Sequence, residues 1–212
     1  MKVLSCRGVL FDCDGVLVDS DESVASAWGR WARRLGLDVE MVQGLVHGRR
    51  SADTVAMLVP RERQAEELAR INRYEIEDAG SVRAIGGALA LLQSIPAPQW
   101  AVVTSGRAEL ALARLRAAGL PRPAVLVGAE DVSRGKPDPE GYRLAAESLG
   151  VPPAEAVVLE DAAVGVHAAR AAGVGAVVGV GERAAAGGAD VVVADLRPLR
   201  WEDGHLWVRG TV

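Results

Sequence analysis

The sequence predicts an α/β fold: a parallel sheet covered by helices on both faces, with a helical insert near its start. Two observations predict it. Short continuous apolar runs recur along the chain, each followed by a stretch that reads as helix, the pattern of parallel strands buried on both faces. In contrast, residues of about 20 to 84 hold several helical patterns and no convincing strand. The expected organisation is a core of residues 1–19 and 85–212 and a helical insert of residues 20–84.

The predicted strands are GVLF (8–11), AVVT (101–104), AVLVG (124–128), AVVLE (156–160), VGAVVGV (174–180) and VVVA (191–194). Helical segments lie between them at 108–120, 139–150 and 162–173, and Gly119, Gly150 and Gly173 stand where helix C-caps are expected. In the insert, Val24, Ala27, Trp28, Trp31 and Leu35 recur at helical spacing, so the tryptophans are expected in its core. A further helix begins near Pro60 and is charged on its outer face. At the C-terminus, Asp203-Gly204 between alternating flanks predicts a terminal hairpin.

Composition narrows the function classes. With 212 residues, half of them hydrophobic, the chain is long enough for a sizeable core, and a net charge of −4 gives no support for a nucleic-acid surface. Cys6 and Cys13 form no metal or disulfide pattern, which fits a reducing cytosol. No targeting signal is visible, and no uncharged run approaches the roughly 18–20 residues of a membrane span. A cytoplasmic protein without membrane or nucleic-acid partners is expected.

The segment FDCDGVLVDS (11–20) sets Asp12 and Asp14 two residues apart at the end of an apolar strand, so both can face one side. Buried carboxylates need partners. In open parallel sheets, ligands bind beyond the carboxyl ends of strands, where Thr104-Ser105-Gly106, Lys136 and Glu160-Asp161 also fall. Taken singly, each has a plainer explanation. The DxD can cap a turn, TSG can cap a helix, GKPDP can turn the chain, and Glu160-Asp161 can be a capping pair. Val16 stands where a calcium-binding loop needs Asp or Asn. Together they form an acidic site with one fixed cation and hydroxyl donors, which suits magnesium and a phosphate.

These segments resemble, in order, the four motifs of the haloacid dehalogenase superfamily: FDCDGVLVDS, VVTSG, Lys136-Pro-Asp-Pro and VVLED. The resemblance covers nearly the whole chain and implies a Rossmann-like core with a helical cap inserted after the first motif. It implies Asp12 as nucleophile and Asp14 as general acid and base. Magnesium would be held by Asp12, the Asp14 backbone carbonyl and Asp161, with Glu160 beside it. Thr104 and Ser105 would hold phosphate oxygens, and Lys136 would balance charge.

Within the superfamily, the second aspartate, Asp14, argues against a dehalogenase. The β-phosphoglucomutases are similar in GVLVDS and the Glu-Asp pair, but they carry a histidine where Val24 stands and an arginine where Ser51 stands. HGRR (47–50) and WAVVTSG resemble instead the glycerol-phosphate, 2-deoxyglucose-6-phosphate and bacterial sugar phosphatases. That likeness implies His47, Gly48 and Arg50 closing over a small phosphate ester, with Arg49 less directly involved. A phosphomutase, and a non-catalytic phosphometabolite-binding protein on the same scaffold, are the competing expectations. His167 and His205 are expected to be structural or exposed.

Overall fold

A computed structural model describes residues 1–209. In chain order the elements are β1 (Lys2–Ser5), β2 (Gly8–Phe11), β3 (Val18–Asp19), α1 (Asp21–Leu35), α2 (Val39–Val46), α3 (Ser51–Leu58), α4 (Arg61–Asp78), β4 (Arg83–Ala84), α5 (Ala88–Ser94) and β5 (Trp100–Val103). They continue with α6 (Ala108–Ala117), β6 (Val125–Val127), α7 (Glu140–Ser148), β7 (Ala156–Glu160), α8 (Ala163–Ala172), β8 (Ala176–Val180), β9 (Val191–Val193), β10 (Leu199–Glu202) and β11 (His205–Val208). Six strands form a parallel sheet in the order β6-β5-β2-β7-β8-β9. The six apolar runs of the sequence are these six strands, and the fold is α/β with a Rossmann-like core.

The order has a direct consequence for function. The chain starts at the sheet centre with β2, builds β5 and β6 to one side, then crosses to build β7, β8 and β9 on the other. The reversal of winding leaves a crevice at the carboxyl end of β2. Strands β2, β5, β7 and β8 are fully buried along their length, which explains why their sequences are continuous rather than alternating. Separate apolar clusters cover the two faces, one including Val9, Phe11 and Val102, the other Leu10, Ala101 and Val158. Alternate residues of one strand thus serve opposite layers.

Helices α1 to α4 bury a third cluster of their own, in which Trp28 and Trp31 meet edge to face at 5.3 Å. The chain enters this unit through β3 and leaves through β4, which pair antiparallel, Val18 with Ala84 and Asp19 with Arg83. This ribbon includes a short strand at 83–84, inside the stretch expected to be strandless; two residues are too few to leave a periodic signal. At the C-terminus, the hairpin predicted at Asp203-Gly204 is β10–β11, with both turn residues at positive φ. Strand β1, which the sequence reading left out, completes a three-stranded sheet with it.

Helix α4 departs from the expected pattern in one respect. Its buried stripe is Glu67, Ile71 and Glu75, spaced four residues apart, so two of its three inward positions are acidic. The Glu67 side chain is fully buried and accepts from Arg34 and from Arg63 at 3.1 Å, with Arg70 Nε 3.7 Å away as a further ion-pair partner. Burial pushes its carboxyl upward, but Arg34 with Arg63 and Arg70 outweighs that and holds it below the usual range. A depressed carboxyl stabilises the fold above its unfolded value of about 4.3, and that stability is lost as pH falls through the folded value. Glu67→Gln should therefore destabilise by about 1–3 kcal/mol at neutral pH. The gap from the unsubstituted protein, followed by denaturant unfolding, should narrow as pH drops below about 4.3; a gap that stays constant to about pH 3 would contradict the charged cluster.

Candidate active site

Three neighbouring strands, β5, β2 and β7, end at one level and place Thr104, Asp12 and Asp161 just beyond their last residues, with Glu160 the last residue of β7. The ladder continues one residue past the strands, with the Asp12 N–H donating to Leu159 O and the Thr104 N–H to Val127 O. That pairing fixes Asp12 against β7, so residues about 150 apart in sequence become neighbours. Lys136 reaches the same point from the loop between β6 and α7. Its buried ammonium donates to both Asp12 Oδ1 and Glu160 Oε1 and lies 5.2 Å from the centre of the Tyr142 ring. The Tyr142 hydroxyl donates to Glu160 Oε1 at 2.6 Å, and the Ala162 N–H donates to Glu160 Oε2 at 3.2 Å.

Two glycines make this crowding possible. Gly15 has φ of 77°, and a Cβ there would lie 2.3 Å from Asp161 Oδ2. A Cβ on Gly165, near the start of α8, would lie 1.7 Å from Glu160 Oε1. Both carboxylates are therefore seated where only a missing side chain leaves room.

The electrostatics show a shortage of positive charge. Asp12, Glu160 and Asp161 are buried and each offers an oxygen, all within 4.8 Å of one another, a grouping that could hold a metal ion. Against these three carboxylates stand Lys136 and Arg183, the latter donating to Asp161 Oδ2 at 2.7 Å. Burial pushes the Asp12 carboxyl well up against the pull of Lys136, and Glu160, Asp161 and Asp14 add to the push. Burial and Glu160 likewise push Asp161 up to about 6 despite Arg183. Burial opposes a charged Lys136, but Asp12 and Glu160 outweigh it and hold the ammonium. An oxygen-rich, buried set one charge short of neutral fits a hard divalent cation.

Asp14 turns away from this cluster. Its Oδ1 accepts from Arg114 Nη1 at 2.8 Å, and its side chain is partly exposed to a cleft between the strand ends and helices α1 to α4. Asp12, Asp14, His47, Gly48, Arg49 and Ser105 all line that cleft. Gly48, at φ of 72°, brings its carbonyl to the Ser105 hydroxyl, which donates to it at 2.8 Å; a Cβ on Gly48 would lie 2.6 Å from Val164. His47 is held toward its neutral form by burial and by Arg183. Thr104 is buried, and its Oγ1 accepts from the Gly106 N–H at 3.0 Å.

Arg50 is not in that lining but borders a smaller adjoining pocket with Thr104, Ser105 and Lys136. It makes a two-pronged pair with Asp53 at 2.9 Å and donates to Val132 O and Ser133 O, bracing the helical unit against the loop that carries Lys136. Of the two adjacent arginines, Arg49 is the one on the cleft wall. Several groups in the site were not singled out from sequence: Tyr142, Arg114, Glu75 and Arg183, which also pairs with Asp21 at 2.8 Å. Arg114 carried a readable signal, since it shares the inward face of α6 with Leu110, Ala111 and Leu115, where a charge is out of place. His167 and His205 lie outside the cleft lining, and Cys13 is a fully buried free thiol.

The model of the haloacid dehalogenase-like hydrolase family matches residues 6–173. Over 175 residues the chain is 43% identical to hexitol phosphatase A of Escherichia coli (strain K12), an alignment covering 80% of this chain and 81% of that one. Over 186 residues it is 31% identical to glycerol-1-phosphate phosphohydrolase 2 of Saccharomyces cerevisiae, covering 80% and 73%. Among solved structures, a hydrolase from Pseudomonas syringae is similar with a TM-score of 0.80 at 26% identity, covering 89% of this chain and 94% of its own. Four ordered motifs, their convergence at the strand ends and these matches have one reading: the chain belongs to the haloacid dehalogenase-like hydrolase family.

Proposed function

We propose that this protein is a magnesium-dependent phosphatase that hydrolyses phosphate monoesters of small sugars or polyols, with Asp12 as the nucleophile. The observation that carries the reading is the buried Asp12 carboxylate at the sheet's central strand end, held by Lys136 and grouped with Glu160 and Asp161. The relatives named for hexitol and glycerol phosphates support the substrate class.

The residues divide the chemistry as follows. Lys136 engages Oδ1 of Asp12 and fixes the carboxylate plane, and Oδ2 is the oxygen proposed to attack phosphorus. An Asp12–phosphorus bond forms as the ester oxygen leaves, and Asp14 supplies the proton that the departing alcohol needs. Water then attacks the aspartyl phosphate, Asp14 takes its proton, and the bond to Asp12 breaks. Arg114 keeps the Asp14 side chain at the cleft for both transfers. Thr104 and the Ser105 N–H hold phosphate oxygens, while the Ser105 hydroxyl is already committed to Gly48. Magnesium, held by Asp12, Asp161 and the Asp14 backbone carbonyl with Glu160 beside it, would neutralise phosphate charge. His47, Gly48 and Arg49 close the cleft over the substrate, and Arg50 secures that closure from behind.

Hydrolysis is favoured over phosphoryl shuttling by two positions on the cleft wall. Val24 offers no proton-carrying group, and Ser51 is bonded to Glu75 rather than presenting a cation to a second phosphate. An intact nucleophile disfavours a purely binding role.

Phosphate release from hexose, hexitol, glycerol and glycolate phosphates should require magnesium, stop on chelation and return on its readdition. Asp12→Asn should lower kcat by about 10³-fold or more. Release that persists in a chelator, or in Asp12→Asn, would contradict the proposal. Gly165→Ala gives an independent check. Ala favours a helix by about 1 kcal/mol over Gly, so any loss must come from the clash with Glu160. Reduced magnesium affinity and a lower Tm are expected, and an unchanged Tm would contradict the packing described for Glu160.

A further inference from the structure

One wall of the cleft carries charged groups that the chemistry above leaves partly unused. Arg114, on α6, is 2% exposed; Nη1 donates to Asp14, while Nε and Nη2 are buried without a partner. A guanidinium has five N–H donors, and leaving several buried and unpaired is costly. On the same wall Glu75, on α4 and 6% exposed, accepts from Ser51 Oγ at 3.0 Å and from Trp28 Nε1 at 3.4 Å. Its carboxylate retains acceptor capacity beyond these two bonds, since each oxygen takes more than one donor. Arg114, Glu75, Ser51 and Trp28 line the cavity that Asp12 and Asp14 line.

The charges of this wall decide what it can take. Arg114 faces two carboxylates, Asp14 and Glu75, so the guanidinium is already more than balanced. A second anionic group on the ligand would meet Glu75 and be repelled. A neutral hydroxyl suits both halves, accepting from a free Arg114 nitrogen and donating to Glu75. Trp28 and Val24 on the same wall give the carbon skeleton an apolar surface.

We infer that Arg114 and Glu75 form the subsite that reads hydroxyl groups on the carbon skeleton of the substrate, with Arg114 donating to and Glu75 accepting from adjacent hydroxyls. The inference rests on the phosphatase reading for the reacting end of the molecule and deepens it for the other end. It makes the site selective for polyhydroxylated esters over esters with no hydroxyl, and over esters bearing a carboxylate.

The test compares kcat/KM for glucitol 6-phosphate with that for ethyl phosphate, which has no hydroxyl to read. Sites built around buried hydrogen-bonding groups discriminate strongly against ligands lacking the partner. The ratio should fall about 10- to 100-fold in Glu75→Gln, mainly through KM for the hexitol ester, and also in Arg114→Lys, where the weakened hold on Asp14 lowers kcat on both esters alike and cancels in the ratio. Relative to glucitol 6-phosphate, phosphoglycolate should gain in Glu75→Gln. Equal losses on the hexitol and ethyl esters would overturn the assignment. A second readout needs no turnover: calorimetric binding of glucitol 6-phosphate and of inorganic phosphate to Asp12→Asn, with and without Glu75→Gln. Loss of affinity confined to the hexitol ester supports the subsite even if the protein hydrolyses nothing, an outcome that would contradict only the phosphatase reading. Equal weakening for both ligands overturns the subsite.

Discussion

The Lys136 ammonium, shared between Asp12 and Glu160, is the contact on which the site's geometry depends. Burying an ammonium and two carboxylates is expensive unless each is closely paired and its remaining bonding capacity is met. Here the pairing draws together the ends of β2 and β7, the loop before α7, and Tyr142 of α7, which bonds the same Glu160 oxygen. The balance is incomplete by design of the residue set: one lysine cannot satisfy Asp12 and Glu160 while Arg183 alone answers Asp161. Burial raises Asp12 and Asp161 above the usual carboxylate range, and the unmet negative charge of their neighbours adds to it. A divalent cation would turn this deficit into a surplus suited to a phosphate dianion, so one electrostatic constraint accounts for both the metal and the substrate class proposed.

The helical unit touches the strand ends mainly through polar contacts. Ser105 bonds Gly48, Arg50 bonds Val132 and Ser133, Arg183 bonds Asp21, and Glu75 lies beside Arg114 on one wall of the cleft. Its apolar cluster is separate from the two that cover the sheet. Contacts of this kind exchange with water at far smaller cost than an apolar interface. The two-residue ribbon β3–β4, where both connections run, is a suitable pivot. Substrate entry and water exclusion can thus be served by the same interface.

Much of this was legible in the sequence because it depends on local signals. Continuous apolar runs mark all six strands of the parallel sheet, and the strand-end rule alone brings Asp12, Thr104, Lys136 and Asp161 together. The tryptophan spacing in α1 correctly placed Trp28 and Trp31 in the insert's core. What was not legible depends on which face of a helix meets which neighbour. The Arg50 guanidinium turns away from the cleft because Asp53, one helical turn on, and two carbonyls of the Lys136 loop capture it, leaving Arg49 on the wall. Glu75 looks like one more charge on a polar helix until packing shows that α4 buries an acidic stripe. Arg183 reaches Asp161 from a short turn with no periodic pattern of its own.

The central claim is that Asp12 becomes covalently phosphorylated during turnover, and it is tested most directly by trapping that species. Protein in excess over a hexitol phosphate, with magnesium, should be quenched in acid within the first turnover and digested for mass spectrometry. The account predicts one phosphoryl group on the peptide containing Asp12, removed by hydroxylamine and absent from Asp12→Asn. Substrate consumed through a full turnover with no phosphorylated peptide at any quench time, or a phosphoryl group on another residue, would contradict it.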